Sequence, residues 1–274
     1  MKKIMDYSAH LKKNGYVLIK NFFDKDDIKE IKDISEKLHS KNIKSVPNLH
    51  NFNFSWKLLI NQKLMKFLKE FYNPDKVYYL YNSHSVKQKN DEPVDPNWHR
   101  DNAHRIFGKG DDWNNGYNVL RVGIYLNEKD KDTNGIRLIK KSHVGGKFIC
   151  FLLRTLRSKF KRLYFNKLFR YFFDKIIGTT VYPKFGDCLF FYANIYHAAF
   201  RDKSVGYRKA IFLSYGTKNI HSENFLNYYI FHHNMDHRFD KEKNNFDEFI
   251  KLINQNDLYS NLPSERKLDK DITI

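Results

Sequence analysis

Two stretches, far apart in the sequence, organise this chain. They are Trp98-His99-Arg100-Asp101-Asn102 and Gly186-Asp187-Cys188-Leu189-Phe190-Phe191-Tyr192-Ala193-Asn194-Ile195-Tyr196-His197. Side chains two residues apart on an extended strand project from the same face, so His99 and Asp101 can converge on one point. His197 follows an apolar run that is typical of a buried strand, at the position where the strand emerges. We therefore expect the two stretches to meet in space.

Two imidazoles and one carboxylate on one side of a metal ion leave its other positions open. This set is the facial triad of non-haem Fe(II) oxygenases, although Zn or Mn would also fit it. Arg208, eleven residues after His197, offers a planar guanidinium that can bind a carboxylate through two hydrogen bonds. Burying that arginine in a barrel would be costly without an anion, and a dicarboxylate co-substrate would supply one. The alternative is a surface His–Asp pair, a packed core histidine and a surface arginine.

The middle of the chain contains short β-like segments separated by turns. Residues 117–126 are the clearest, because Leu120, Val122 and Ile124 alternate with the other face of the strand. Arg121 lies on that other face and points either into the barrel or to solvent. Further strands are predicted at 15–20, 77–85, 136–139, 178–183, 187–192 and 208–215. This spacing favours a closed or double-sheet β architecture over a βαβ fold.

Helices are predicted mainly before this β region. Apolar residues at helical spacing predict one helix over residues 25–40, with Asp24 as its N-cap. A second helix is predicted over 58–71, and the tail from residue 218 is expected to be polar helix or coil. The sequence has no internal repeat, so we expect a single domain over 1–274, mostly β with helical additions.

The composition excludes several classes of protein. The 274 residues include 24 Phe and 18 Tyr, which argues against disorder. No apolar run reaches the ~18 residues of a transmembrane helix, and the N-terminus lacks the apolar segment of a secretory signal. Cys150 and Cys188 are expected to be reduced thiols of a cytoplasmic protein. The net charge of +18 favours an anionic partner, such as a nucleic acid, a membrane surface or a substrate.

The ordered set of motifs resembles the phytanoyl-CoA dioxygenase family, a branch of the Fe(II)/2-oxoglutarate dioxygenases. The resemblance runs from about residue 8 to residue 216, in the family's order and roughly its spacing. The motifs are Gly15-Tyr16-Val17-Leu18-Ile19, Trp98 to Asn102, Asn134-Gly135-Ile136-Arg137-Leu138-Ile139-Lys140-Lys141-Ser142-His143, and Gly186 to Phe191 with His197 and Arg208. The sequence departs from the family at Lys140-Lys141, where the turn usually carries Pro-Gly.

This resemblance implies a double-stranded β-helix, which is a jelly roll of the cupin type. It also implies a cofactor set of Fe(II), 2-oxoglutarate as co-substrate, and O₂. The iron ligands would be His99, Asp101 and His197, which are also the catalytic residues, and Arg208 would hold 2-oxoglutarate. Because Asp101 is present, whereas halogenating relatives lack this carboxylate, we expect a hydroxylase.

Three further residues match co-substrate positions less specifically. Lys87 and Asn82 lie where some family members use side chains that help to hold 2-oxoglutarate, and Ser204 lies where a serine is often found. The alternative is that all three are solvated strand-end or turn residues. The resulting hypothesis is an oxygenase that hydroxylates a C–H bond of a small, anionic or lipid-linked substrate. The competing hypothesis is a non-catalytic basic jelly-roll protein that binds an anionic membrane surface or nucleic acid.

A basic, aromatic-rich insertion interrupts the β pattern at about residues 147–177. It carries nine Lys and Arg residues, and Asp174 is its only acid. The spacing predicts an amphipathic helix or helix pair. One interpretation is a lid that packs on the barrel beside the metal site. A second, compatible interpretation is peripheral contact with the inner face of an anionic membrane; we do not expect nucleic acid as the partner.

Overall fold

The structure is a computed structural model with two β-sheets and several packed helices. It describes residues 2–41, 43–89, 98–101, 117–126, 134–144, 152, 155, 159, 178–201, 207–227 and 245–260. The described helices are α1 (Lys2–Asn14), α2 (Lys25–Leu38), α3 (Trp56–Leu59), α4 (Gln62–Tyr72), α5 (Ile220–Asn227) and α6 (Phe246–Gln255). The described strands are β1 (Tyr16–Ile19), β2 (Ser45–Pro47), β3 (Val77–Tyr79), β4 (His84–Lys89), β5 (Leu120–Tyr125), β6 (Asn134–Leu138), β7 (Thr179–Val181), β8 (Cys188–Tyr192), β9 (His197–Arg201), β10 (Tyr207–Gly216) and β11 (Leu258–Tyr259).

Strand pairing produces one large and one small sheet. The large sheet follows the order β1, β8, β5, β10, β3 and β11, while β4 also pairs with β10 and β2 pairs with β4. The small sheet follows the order β7, β6 and β9. Pairing is antiparallel throughout, except that β11 runs parallel to β3. This arrangement confirms the predicted jelly roll with helical additions.

Side chains along the strands of the large sheet point alternately into two separate apolar layers. On β8, Leu189 and Phe191 pack toward the small sheet, where they meet Ile136 and Leu138 of β6. Phe190 projects from the opposite face into the cluster that the helices cover. Because successive residues of a strand point to opposite faces, an apolar run without polar interruptions can fill both layers. The sheet is therefore buried on its two sides at β8.

Both predicted helices are present, but the second of them is divided into two. Asp24 caps α2 as predicted, since its carboxylate accepts hydrogen bonds from the backbone N–H groups of Asp26 and Asp27. The helix predicted over 58–71 is two helices, α3 and α4. The break occurs at Asn61, because its side chain accepts hydrogen bonds from the N–H groups of Lys63 and Leu64 and starts a new helix there.

Three other segments differ from the sequence expectations. The strand predicted at 77–85 is divided into β3 and β4, since Tyr81 adopts a positive φ of 56° between them. The residues before β1 form α1, for which we had predicted no element. The tail contributes more than polar helix or coil, because α6 buries Phe246, Phe249 and Ile253 and β11 extends the large sheet.

The insertion predicted at 147–177 lies outside the described residues, apart from positions 152, 155 and 159. Ser204 and Cys150 also lie outside them. Among the helices that the structure describes, none has the length and apolar character needed to cross a membrane.

Phe190 offers a test of the layer between the large sheet and the helices. Its side chain is fully buried, and its ring centroid lies 4.1 Å from that of Phe67 on α4. We expect Phe190→Ala to lower the free energy of unfolding by about 3–5 kcal/mol, because it leaves a cavity in a packed core. Ile220→Ala is the matched control, since Ile220 is 58% exposed, and should change it by less than about 0.5 kcal/mol. Equal losses in urea unfolding would contradict the packing described.

His39 offers a test by pH. Its Nδ1–H donates to the carbonyl oxygen of Ile43 (2.6 Å), and its Nε2 lies 2.9 Å from the Ser85 hydroxyl. Burial lowers the pKa of His39, and the positive charges of Lys87 and Lys209 lower it further, against the opposing effect of the Ile43 bond. Below its ordinary pKa of about 6.5, the unfolded chain then binds more protons than the native state.

Native stability should therefore fall as the pH drops below about 6.5, and this His39 contribution should be present in full above that value. We expect His39→Gln to flatten the pH dependence of the free energy of unfolding, measured in urea between about pH 7 and pH 5. The exposed His10 supplies the control variant His10→Gln, which should keep the wild-type slope. A His39→Gln slope equal to that of the wild type would show that His39 does not contribute.

Candidate metal centre

The backbone brings the two stretches that organise the sequence into direct contact. His99 and His197 form an antiparallel bridge in which the N–H of each donates to the carbonyl oxygen of the other, at 2.9 Å in both directions. The N–H of Asp101 donates to the carbonyl oxygen of Ala193 at 2.8 Å. Their rings follow the backbone, with the two imidazole centroids 4.3 Å apart. The expected meeting of His99, Asp101 and His197 is therefore present in the structure.

The three side chains present one ligand atom each toward a common point. Asp101 Oδ1 lies 3.7 Å from His99 Nε2 and 3.6 Å from His197 Nε2. The ligand atoms of the group all lie within 4.8 Å of one another, and this is the group among the described residues that could hold a metal ion. Bonds of about 2.1 Å to a shared ion would place neighbouring ligand atoms at roughly 3 Å. The present distances are longer, so the ligand atoms would move closer together around an ion.

His197 is oriented for ligation by its second ring nitrogen. Its Nδ1 lies 3.1 Å from the carbonyl oxygen of Ile195, which can only accept, so Nδ1 carries the proton. The lone pair of Nε2 is then free to face Asp101, which is the arrangement that metal-binding histidines use. Burial lowers the pKa of His197 to about 4, and His99 also lowers it, while Asp101 raises it. The imidazole is accordingly neutral at physiological pH.

Arg121 is the residue of this centre whose orientation the sequence left open. Its side chain is 3% exposed and points inward. Its Nε–H donates to Asp101 Oδ2 at 2.9 Å, and its Nη1 donates to the Asn82 carbonyl oxygen at 2.8 Å and to Ser214 Oγ at 2.6 Å. Burial raises the pKa of Asp101, but the charge of Arg121 and the nearby imidazoles outweigh it and hold that pKa well below its ordinary value. Asp101 is therefore ionised.

A cavity of about 250 Å³ opens onto the three ligand atoms. It is lined by Ser45, His84, Val86, His99, Asp101, Arg121, Ile136, Phe191, His197, Ala199, Arg208 and Phe212. Arg208 is 8% exposed and its guanidinium lies 5.9 Å from the ring centroids of both Tyr125 and Phe212. Its Nε is buried and has no hydrogen-bond partner among the described residues. The cavity thus holds a buried cation beside a candidate metal site.

The three remaining predicted site residues do not share this arrangement. Asn82 is buried, and its backbone carbonyl oxygen accepts hydrogen bonds from Arg121 and Ser214. Lys87 follows Val86 on β4. Because Val86 and His84 line the cavity, strand alternation turns Lys87 to the opposite face, where its ammonium lies 5.5 Å from the Tyr207 ring centroid. Ser204 lies outside the described residues, and nothing places it relative to the cavity.

Comparison with solved structures gives the same fold. A 2-oxoglutarate-dependent epimerase from nogalamycin biosynthesis, SnoN, matches with a TM-score of 0.57 and 13% identity, over 79% of this chain and 83% of SnoN. HygX from Streptomyces hygroscopicus, solved with nickel and 2-oxoglutarate, matches with a TM-score of 0.58 and 13% identity, over 78% and 86% of the two chains.

The enzyme EctD from S. alaskensis, solved with 2-oxoglutarate and 5-hydroxyectoine, matches with a TM-score of 0.56 and 16% identity. This match covers 77% of our chain and 75% of EctD. No protein-family model and no curated protein matches the sequence. At these identities the solved structures establish the jelly-roll fold that the strand order already shows.

A metal titration tests the centre directly. We expect wild-type protein to bind one Co(II) per chain without any co-substrate, and His197→Ala to weaken binding by at least about 100-fold, because a ligand is lost. His39→Gln is the matched control, since His39 is also a buried histidine but lies outside the cavity, and it should bind Co(II) as the wild type does. Isothermal titration calorimetry measures both. Undiminished binding by His197→Ala would place the metal elsewhere.

Proposed function

We propose that the protein is an Fe(II)- and 2-oxoglutarate-dependent oxygenase of the phytanoyl-CoA dioxygenase type. The observation that carries this proposal is the convergence of His99, Asp101 and His197 in one cavity with a buried arginine, Arg208. The catalytic unit would be a single domain over residues 1–274. The jelly-roll fold supports the proposal, since three of the solved structures that share it bind 2-oxoglutarate or depend on it.

The ligand set fits a divalent iron ion. Two imidazoles and one carboxylate on one face form the triad of non-haem Fe(II) oxygenases, with open positions for co-substrate and O₂. Zinc and manganese accept the same ligands, so the ligands alone do not select the metal. The structural neighbours include EctD with bound iron and HygX with nickel. We propose iron because Fe(II) is the metal of the oxygenases that use this triad. Arg208 in the same cavity would bind the anionic co-substrate of such an oxygenase.

Arg208 fits the distal carboxylate of 2-oxoglutarate. Arg208 is 8% exposed and its Nε is buried without a partner among the described residues. A charge buried in this way is costly unless an anion compensates it. The side chain lines the same cavity as the ligand atoms. A dicarboxylate could therefore bind the metal through its keto acid end while its other carboxylate accepts hydrogen bonds from Arg208. Arg208 would fix the direction in which the co-substrate enters the coordination sphere.

The remaining residues of the cavity shape the reaction space. When bound, iron and 2-oxoglutarate supply the activation of O₂, with succinate and CO₂ as the co-products of an oxidised substrate. Ile136, Phe191 and Phe212 form an apolar wall beside the ligands, which excludes water from the reacting atoms. The chain would thus contribute orientation and shielding, and His99, Asp101 and His197 would hold the metal ion from one side.

The proposed reaction is hydroxylation of an unactivated C–H bond. Asp101 takes the ligand position that halogenation would leave to a halide, and this favours transfer of oxygen to the substrate. The proposed substrate is a small molecule that is anionic or lipid-linked, because the chain carries a net charge of +18. Among the structural neighbours are an epimerase and a carbocyclase, so product analysis has to identify the oxidation.

An anaerobic binding experiment tests the proposal without a known substrate. Adding 2-oxoglutarate to the Fe(II)-loaded protein should produce the visible charge-transfer absorption of an iron-chelated keto acid, and Arg208→Met should weaken 2-oxoglutarate binding by about 100-fold through loss of a charge-assisted contact. Lys209→Met is the matched control, since Lys209 follows Arg208 on β10 and points to the other face. It should retain the wild-type absorption and affinity.

Two outcomes would oppose the proposal in different ways. Metal binding without any 2-oxoglutarate-dependent absorption would contradict the assignment of Arg208 and of the co-substrate. Absence of both metal and 2-oxoglutarate binding would favour the basic, non-catalytic jelly-roll protein. In aerobic solution, succinate release that rises on addition of one member of an anionic small-molecule panel would identify the substrate class.

A further inference from the structure

The carboxylate of Asp101 divides its two oxygens between different partners. Oδ1 is the oxygen that lies 3.7 Å and 3.6 Å from the Nε2 atoms of the two candidate ligand histidines. Oδ2 instead accepts a hydrogen bond from Arg121 Nε at 2.9 Å. A carboxylate can bind a metal ion through one of its oxygens or through both. The contact with Arg121 occupies the second oxygen before any ion binds.

The guanidinium of Arg121 is itself held from the side opposite Asp101. Its Nη1 donates to the Asn82 carbonyl oxygen at 2.8 Å and to Ser214 Oγ at 2.6 Å, and Ser214 Oγ donates to the same carbonyl at 2.9 Å. These two partners belong to separate segments, the turn after β3 and the strand β10. Arg121 on β5 lies directly opposite Ser214 on β10. The guanidinium therefore has little freedom to rotate away from Asp101.

We propose that Arg121 is a positioning residue that restricts Asp101 to metal coordination through Oδ1 alone. This inference rests on the proposed metal site. A ligand held through one oxygen keeps three positions of a six-coordinate ion open, whereas a two-oxygen grip would consume one of them. Co-substrate and O₂ together need those three positions in the proposed function. Arg121 would act through Asp101, without touching substrate or metal.

Two opposing effects of Arg121 can be separated by measurement. The positive charge repels a metal cation, which would weaken metal binding, whereas a pre-oriented carboxylate strengthens it. Partners that orient a ligand typically contribute 10–100-fold to metal affinity. Since the guanidinium is already paired with Asp101 at 2.9 Å, we expect orientation to outweigh repulsion. The sign of the change in affinity therefore decides between the two effects.

The experiment is a double-mutant cycle read out by Co(II) affinity in the absence of 2-oxoglutarate. Arg121→Met should weaken Co(II) binding by about 10–100-fold in the wild-type background. In the Asp101→Ala background the same substitution should change the affinity by less than about 2-fold, because the carboxylate that it orients is gone. Arg121→Lys should recover part of the loss, since a lysine can still donate one hydrogen bond to Oδ2.

Ser214→Ala provides a milder variant that is close to the wild type in volume. It removes one of the two Nη1 acceptors and should lower Co(II) affinity by a smaller factor than Arg121→Met, again only when Asp101 is present. This keeps the test available if Arg121→Met fails to fold, which thermal unfolding followed by circular dichroism will show. Lys209→Met is the control for loss of a positive charge on the neighbouring strand β10, and it should leave Co(II) affinity unchanged because Lys209 points away from the cavity.

Three outcomes would overturn the inference. The first is unchanged or tighter Co(II) binding by Arg121→Met, which would make the guanidinium neutral or mainly repulsive. The second is an equal loss with and without Asp101, which would indicate a general structural role. The third is wild-type protein that binds no metal, and this outcome would remove the proposed function as well. The first two leave the proposed function standing.

Discussion

The backbone bridge between His99 and His197 is the constraint on which the site depends. These residues lie on segments far apart in the sequence, and two hydrogen bonds of 2.9 Å fix them face to face at the edge of the small sheet. The hydrogen bond from Asp101 to Ala193 extends this pairing toward the large sheet. Because the contact is made by the backbone, it sets the spacing of the ligand side chains before any ion contributes.

This geometry places the charged carboxylate of Asp101 inside the protein, largely away from water. A carboxylate inside a barrel is unfavourable unless it is paired and hydrogen-bonded, and Asp101 is paired with Arg121 on β5. Arg121 is satisfied in turn by Asn82 and Ser214. This chain of contacts joins β5, β10 and the turn after β3, so the stability of the large sheet and the orientation of the metal ligand share the same hydrogen bonds.

The sequence predicted those parts of the structure that depend on local pattern. Alternation on β5 and the apolar run of β8 indicated strands, and Asp24 indicated a helix start. The division between α3 and α4 was missed because Leu and Phe continue at helical spacing through the break, although Asn61 is a typical N-cap. The pairing of β11 with β3 was missed because a two-residue strand has no periodicity. It depends on a contact between residues 77 and 258, which only the folded chain creates.

The candidate site shows the same limit at the level of single side chains. The order and spacing of the motifs predicted His99, Asp101, His197 and Arg208 as one set, with His197 after the apolar run of 187–192 and Arg208 at the start of the strand predicted at 208–215. Arg121 was left open, yet a signal was present: an arginine within the apolar β5 needs an anion if it points inward. Lys87 lies beyond the strand predicted at 77–85, whereas β4 continues to Lys89 and turns the Lys87 side chain away from the cavity.

The two buried arginines of the cavity differ in how their hydrogen-bond donors are satisfied. Arg121 and Arg208 both line the cavity and flank the Phe212 ring, at 5.7 Å and 5.9 Å from its centroid. Arg121 uses its hydrogen-bond donors on the protein, while Arg208 keeps a buried Nε without a partner among the described residues. A guanidinium that the fold already satisfies serves the fold and its ligand carboxylate. In the proposed function, an anion from outside would complete the hydrogen bonding of Arg208, and the position of that side chain in the cavity would fix where the anion binds.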